Sequence, residues 1–439
     1  MPPDLTLPPS LMALLATFEP CFTVPTFRTF CALAAGFLAQ TGRRTVCGML
    51  TGAGLSRVWR HDRAHRLFSH ARWSAEDLGL VLAKLAVMLL VPDGEPVLVA
   101  IDDTLFKRTG RKVHAIGWFH DGSAKGPHQV GLGNNWVIAA IVVRLPFCSR
   151  PVALPVLAKL VHKDITPAPA SRLVLARQMT AALARVLPGR DIHVVADAAY
   201  AGKELARLPA TVTWTTRLRK DAALYELPGP RTGRRGRPRV KGSRLPCLAT
   251  LASSASFTPA TVRRYGKAVT IHAAVIQCLW HGVFTARAVQ VVLIRDRAQD
   301  GYDLALATTD LTARPAEVIE RYASRWSIEV AIEDAKQIFG AGQARNRLPA
   351  AVHRTIPFAL GCQTLAILWY ATAGHHPADA DDHRSRAPWY RTKTEPSTAD
   401  MIAKLRRVLI AAKYRPSRPR EPTPEEIHAV RLAWEDAVA

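Results

Sequence analysis

Pro96-Val97-Leu98-Val99-Ala100-Ile101-Asp102-Asp103-Thr104 is where the texture of the chain changes. Six apolar residues, several of them β-branched, read as a short buried strand that ends on two acids. Before this stretch, apolar residues recur at helical spacing over 27–39, 45–55 and 75–91. A basic, His-rich segment at 57–72 lies between the last two. After it come expected strands at 112–119 and 135–145, then a helix at 171–187 stopped by Pro188-Gly189. A fourth strand, Ile192-His193-Val194-Val195-Ala196, ends at Asp197; a short helix at 203–208 and a fifth strand at 211–218 follow. Three strands, helix, strand, helix, strand is an α/β layout with a mixed sheet, and ligands of such sheets gather at strand ends. Asp103 and Asp197 are both expected at such ends.

From 219 to 310 the pattern breaks. Residues 231–244 carry seven basic side chains, Arg231, Arg234, Arg235, Arg237, Arg239, Lys241 and Arg244. Alternating runs at 261–269, 271–280, 288–295 and 302–308 predict a β-rich insertion. A long helix is expected over 315–339, with Pro315 in its first turn. Helices at 356–373 and 398–412 complete the chain, the second opened by a Ser397/Asp400 capping box. The 356–373 run is nearly uncharged, but it contains Pro357, Gly361 and Gln363 and stands alone, which favours a buried helix over a membrane span.

The chain has 439 residues, 49% of them apolar, enough for a sizeable core. Lys and Arg number 59 against 35 Asp and Glu, a net charge of +24 that points to a polyanionic partner, nucleic acid above all. Seven scattered Cys without a CxxC pair argue against a disulfide framework or a zinc ribbon, and the N-terminus lacks the pattern of a signal peptide. A cytoplasmic protein with no membrane partner is expected.

Tyr322, Arg325, Glu329 and Lys336 lie at helical offsets 0, 3, 7 and 14 and share an arc of roughly 60°. Ile328, Ala331, Ile332, Ala335, Ile338 and Phe339 take the opposite side, so one face packs while the other is presented to a ligand. The spacing Y-x2-R-x3-E-x6-K resembles the YREK signature of DDE-type insertion-sequence transposases. Asp103, before Thr104, resembles their first acid, and Asp197, in Ala196-Asp197-Ala198-Ala199-Tyr200, their second. The likeness covers about 95–345.

The resemblance implies a multi-domain α+β protein whose ribonuclease-H-like core is interrupted by a β-rich insertion and flanked by helical regions. In that scheme 1–92 is a helical DNA-binding region, 93–218 and 311–375 are the two parts of the core, 219–310 is the basic loop and insertion, and 376–439 is a helical C-terminal region. It further implies a DNA transposase with Asp103, Asp197 and Glu329 as catalytic and metal-binding residues. They would hold two Mg²⁺ ions, with Mn²⁺ as a substitute; hard cations with phosphate partners favour carboxylate oxygen. The implied reaction is hydrolysis at the element ends, then joining of the freed 3′ hydroxyl to target DNA. Implied partners are double-stranded DNA and a second copy of the chain. Tyr322, Arg325, Lys336, Arg234, Arg235, Arg237, Arg239 and Lys241 are the expected DNA contacts, with Arg235-Gly236-Arg237-Pro238 a candidate minor-groove hook. Asp102 and Glu333 compete with Asp103 and Glu329. Successive strand residues face opposite sides, so only one of Asp102 and Asp103 can point at the metals.

Overall fold

The computed structural model describes residues 6–122, 124, 129–162, 170–229, 239–297, 300–413 and 421–438, with the side chains of 432–438 outside the description. Five helices open the chain: α1 (Pro9–Ala16), α2 (Val24–Ala39), α3 (Val46–Gly52), α4 (His61–Ser69) and α5 (Ala75–Leu90). Thr45 and Ser74 cap α3 and α5 by accepting from the amides of Gly48 and Asp77. Helix α4 occupies the basic segment between the second and third expected helices, its apolar side formed by Ala64, Leu67 and Phe68.

Four strands follow: β1 (Val97–Lys107), β2 (Gly117–His120), β3 (Val130–Val143) and β4 (Val152–Leu160). Strand β1 does not stop at the acids. It continues because Asp102 to Lys107 pair antiparallel with Ile138 to Gly133, which satisfies their backbone groups. What ends near the acids is the parallel ladder with β5 (Ile192–Ala196), whose last pair is Ile101 with Ala196. Strand β4 has no counterpart in the sequence reading. It carries Pro155, which cannot donate to a ladder, and the β3–β4 register shifts between Ala139 and Ala140, where Pro155 pairs. The strand expected over 112–119 is reduced to β2.

Helix α6 (Arg172–Val186), capped by Ser171, leads into β5. After Asp197 come two 3₁₀ segments, Ala198–Tyr200 and Lys203–Arg207, the second in place of the expected short helix, and then β6 (Val212–Arg217). Next are α7 (Leu248–Ser254), β7 (Thr258–Arg264), β8 (Lys267–Leu279), α8 (His281–Phe284), β9 (Ala288–Arg295) and β10 (Leu304–Thr308). The first hairpin turns at Tyr265 and Gly266, with φ of 52° and 81°. Positive φ at both central residues is the I′ requirement, so the continuous strand expected over 261–269 is split.

These strands do not form a separate sheet. Strand β10 pairs with β6, and among the described residues all ten strands make one sheet, in the order β2-β3-β1-β5-β6-β10-β9-β8-β7 with β4 also on β3. The ladders β1–β5 and β5–β6 are parallel; the others are antiparallel.

The expected long helix is two, α9 (Pro315–Ser324) and α10 (Trp326–Gln337), broken at Arg325. There the Arg325 amide donates to the Tyr322 carbonyl, tightening one turn without leaving helical angles. Ile328, Ala331, Ile332 and Ala335 are buried as expected, and α10 packs on β1, β3 and β4. Helix α11 (Pro349–Trp369) ends in a π-helical turn, Tyr370–Gly374, and is followed by α12 (Asp379–Arg386), α13 (Thr398–Lys413) and α14 (Pro424–Val438). The Ser397 amide donates to Asp400 at the start of α13.

Helix α11 is the hub of the molecule. Phe358 meets Phe30, Phe37 and Phe68 edge-on at 5.9, 5.9 and 5.1 Å, so the N-terminal helices and α11 share one core. Among the described residues Pro349–Gly374 is the only helix long and apolar enough to cross a membrane, and 83% of its most apolar window is buried inside the fold.

Candidate active site

Alternation along β1 sends Asp102 and Asp103 to opposite faces of the sheet, and each face has its own surroundings. Asp102 looks toward the α9–α10 junction. Its Oδ2 is 3.4 Å from Arg325 NH1, and its Oδ1 accepts from the Asp103 amide at 2.8 Å. The same guanidinium reaches Glu329: NH2 to Oε1 is 2.6 Å. One half-buried Arg therefore spans two carboxylates from different elements. Burial works against its charge, but Glu329, Tyr322 and Asp102 outweigh that and hold it above the ordinary guanidinium value.

The Asp102 carboxyl is pushed up to about 7, chiefly because it is cut off from water. The Asp103 amide and Arg325 oppose the shift, while the charges of Asp197 and Asp103 add to it. Asp197 is held at the end of β5. Its Oδ1 accepts from the Ala199 amide at 2.9 Å, and its carbonyl accepts from the Thr216 hydroxyl at 2.8 Å. Tyr322 is raised above the usual phenol value, first by burial, with the charge of Asp197 adding. Lys336 donates to Thr104 Oγ1 at 2.6 Å, two residues along β1 on the Asp102 face, and burial lowers its pKa.

Asp103 faces the other way. Its Oδ1 accepts from the Tyr200 hydroxyl at 3.0 Å and its Oδ2 from Asn135 Nδ2 at 3.0 Å, with Arg172 Nε at 3.2 Å from the first turn of α6. Burial first, and then the charge of Asp103, raise Tyr200 well above its ordinary value. Asp103 thus has three fixed partners, whereas Asp102 shares a single Arg with Glu329. The structure gathers Asp102, Asp197, Tyr322, Arg325, Glu329 and Lys336 on one side, and turns Asp103 to the other.

Tyr200, Asn135 and Arg172 escaped the sequence reading; Tyr200 alone left a signal there, as the last residue of the quoted Asp197 stretch. Glu333 is exposed and accepts from Gln337 at 2.9 Å, away from this group. Arg239 is exposed, and Lys241 Nζ lies 3.9 Å over the Tyr225 ring. Arg234, Arg235 and Arg237 lie outside the described residues, as does the candidate hook. Trp280 is buried against Phe284, a core side chain. The His- and Asp-rich stretch after 374 leads into and forms α12. Its Asp379 is engaged by Lys404 and the Tyr370 hydroxyl.

The donor set on the Asp102 face suits a hard cation. It consists of carboxylate oxygens, and burial raises the proton affinity of one of them, Asp102, even with Arg325 beside it. No curated protein matches the chain. A family model described as DDE superfamily endonuclease matches residues 17–281, a span that includes Asp102, Asp103 and Asp197 and stops short of Glu329. That match spans more than half of the sequence, and the chain belongs to the DDE superfamily endonucleases.

Proposed function

We propose that the protein is the transposase of an insertion sequence, cutting DNA at the element ends and joining the cut ends to target DNA. The observation that carries this reading is the Arg325 guanidinium set between Asp102 and Glu329, beside Asp197 at the neighbouring strand end. Arg325 lies between Asp102 of β1 and Glu329 of α10, and Asp197 at the end of β5 is near enough for its charge to act on both Asp102 and Tyr322. Asp102, Asp197 and Glu329 are the residues that would hold divalent ions, Mg²⁺ or Mn²⁺. Asp102 takes the place that the motif context assigned to Asp103. Its support is the face it shares with Glu329, whereas Asp103 is saturated by Tyr200, Asn135 and Arg172.

When bound, two such ions supply an activated water and stabilise the leaving oxygen. The remaining work falls to side chains of this chain. Arg325 leaves the carboxylates and turns its planar fork to a phosphate of the element end, a geometry that suits bidentate contact. Lys336, fixed by Thr104, adds a point charge, and Tyr322 flanks the same phosphates. Water attacks the phosphorus of the scissile bond, and the 3′ oxygen of the element leaves as a hydroxyl. That hydroxyl then attacks a target phosphodiester, forming the new junction and releasing a target 3′ hydroxyl. The enzyme works on double-stranded DNA as a dimer, because two ends must be brought together.

The test is incubation of the purified chain with DNA carrying the flanking element ends and a separate target, with Mg²⁺ or with EDTA. Metal-dependent nicking at the ends plus a covalent donor–target product supports the transposase. Nicking without joined product leaves a nuclease, and binding without nicking under any divalent metal leaves a DNA-binding protein.

A further inference from the structure

Three histidines from separate parts of the chain converge away from the acids. His114 lies in the segment between β1 and β2, His162 follows β4, and His353 sits on α11. One ring nitrogen from each lies within 4.8 Å of the others. Ring centroids are 5.2 Å apart for His114–His162, 5.4 Å for His114–His353 and 5.2 Å for His162–His353. Among the described residues this is the only group of His, Cys, Asp or Glu at metal-ligand spacing. We propose that His114, His162 and His353 form a second metal site, distinct from the carboxylates, which takes a borderline transition ion such as Zn²⁺.

The backbone around His114 is built to hold it in place. Asn134 Nδ2 donates to the carbonyls of both His114 and Ala115 at 3.0 Å, and the His114 amide donates to the Arg347 carbonyl at 3.0 Å. Ala115 adopts φ 51°, a costly conformation for a residue with a Cβ, and the Asn134 bonds are what sustain it. Behind Asn134 stands buried Arg108, which donates to Asn134 Oδ1 and to the carbonyls of Gly342 and Ala344. His162 is placed by the last bond of β4, from the Val161 amide to the Asn135 carbonyl. His353 rests on the buried Trp136 indole, 6.4 Å between centroids.

Three imidazoles favour Zn²⁺, Co²⁺ or Ni²⁺ over Mg²⁺, which prefers oxygen. In a tetrahedral site with Zn–N near 2.1 Å, ligand nitrogens stand about 3.4 Å apart. His353 is exposed and can close most of the remaining gap by rotating its ring. The fourth position stays open to water. Bound metal would clip the end of β4, the segment before β2 and the first turns of α11 together. The site is separated from Asp102 along the same sheet face by Thr104 with Lys336 and by Trp136 opposite Thr104.

The test is calorimetric titration of the metal-stripped full chain with Zn²⁺ in excess Mg²⁺, repeated with Co²⁺ while following visible absorption. His353→Gln and His162→Gln are compared with Glu329→Gln, after circular dichroism has shown that each variant is folded. The proposal expects one Zn²⁺ per chain and the intense visible bands of four-coordinate Co²⁺, both lost in the two His variants and kept in Glu329→Gln. Absence of Zn²⁺ binding in the unmutated chain, or binding that survives both His substitutions, would overturn it. Loss in Glu329→Gln with retention in the His variants would place the ion at the acids and also overturn it.

Discussion

Arg325 is a cation where the proposed chemistry needs metal. Its fork bridges Asp102 and Glu329, so under the proposed function it would compete with metal in the absence of DNA. Arg325→Ala should therefore tighten Mn²⁺ binding to the free protein by roughly tenfold, or about 1.4 kcal/mol, while lowering stability without metal. Weaker Mn²⁺ binding in that variant, read by paramagnetic relaxation or calorimetry, would count against the bridge.

His193 offers a second test at this scale. It is half-buried on β5 beside Thr213, Arg321 and Asp310 and is pushed down to about 4, mainly by desolvation and then by Arg321, with Asp310, Asp191 and Glu317 opposing. A pKa lowered on folding means the unfolded chain binds the extra proton. Stability is then complete above about pH 6.5 and falls as pH drops toward 4, by on the order of 3 kcal/mol. His193→Gln should flatten that part of the profile in thermal melts between pH 7 and 4. The pairing of Tyr322, Arg325, Glu329 and Lys336 on one helical side was legible from spacing alone. Which of Asp102 and Asp103 they face was not, because alternation says the two diverge without saying on which side α10 packs.

Among the elements, those with strong local signals were legible. Strand β5 is a bounded β-branched run, and α6 has Ser171 at its cap and Pro188-Gly189 beyond its end. Strand β4 was hidden because Pro155 reads as a breaker, and only the register shift opposite it makes room. The hairpin at Tyr265-Gly266 was hidden because Tyr seldom takes positive φ. The break at Arg325 contains neither Gly nor Pro, so sequence gave no sign of it.

Helix contacts carry their own prediction. A Cβ on Gly36 would stand 1.8 Å from the Met49 carbonyl oxygen, and one on Gly52 would stand 2.2 Å from that of Gly36, so α2 and α3 touch backbone to backbone. Gly36→Ala should cost about 2–4 kcal/mol, since backbone rather than a flexible side chain must yield. A denaturation midpoint unchanged from the unmutated chain would contradict the close crossing. Arg108→Ala removes the tie among Asn134, Gly342 and Ala344 and should cost about 3 kcal/mol, read the same way.

At the scale of the whole molecule, a single sheet runs from β2 to β7, with the segments once expected to be a separate insertion joined through β10 and β6. A sequence pattern reports strand period and length, but long-range pairing leaves no local trace, so the continuity of the sheet could not be read from it. The net charge of +24 was legible at once. Its consequence is that DNA affinity should fall steeply with salt, log K dropping by about 0.9 per phosphate neutralised for each decade of salt. A salt-independent affinity would contradict a phosphate-dominated interface.

The most direct measurement is strand transfer from an end-bearing DNA in Mg²⁺, comparing the unmutated chain with Asp102→Asn, Asp103→Asn, Asp197→Asn and Glu329→Gln. The expected result is loss of cleavage and joining by at least about a thousandfold in Asp102→Asn, Asp197→Asn and Glu329→Gln, against a milder loss in Asp103→Asn, whose partners Asn135 and Tyr200 still fix the side chain. Full activity in Asp102→Asn together with none in Asp103→Asn would contradict the assignment and return the first acid to the Tyr200 side of the sheet.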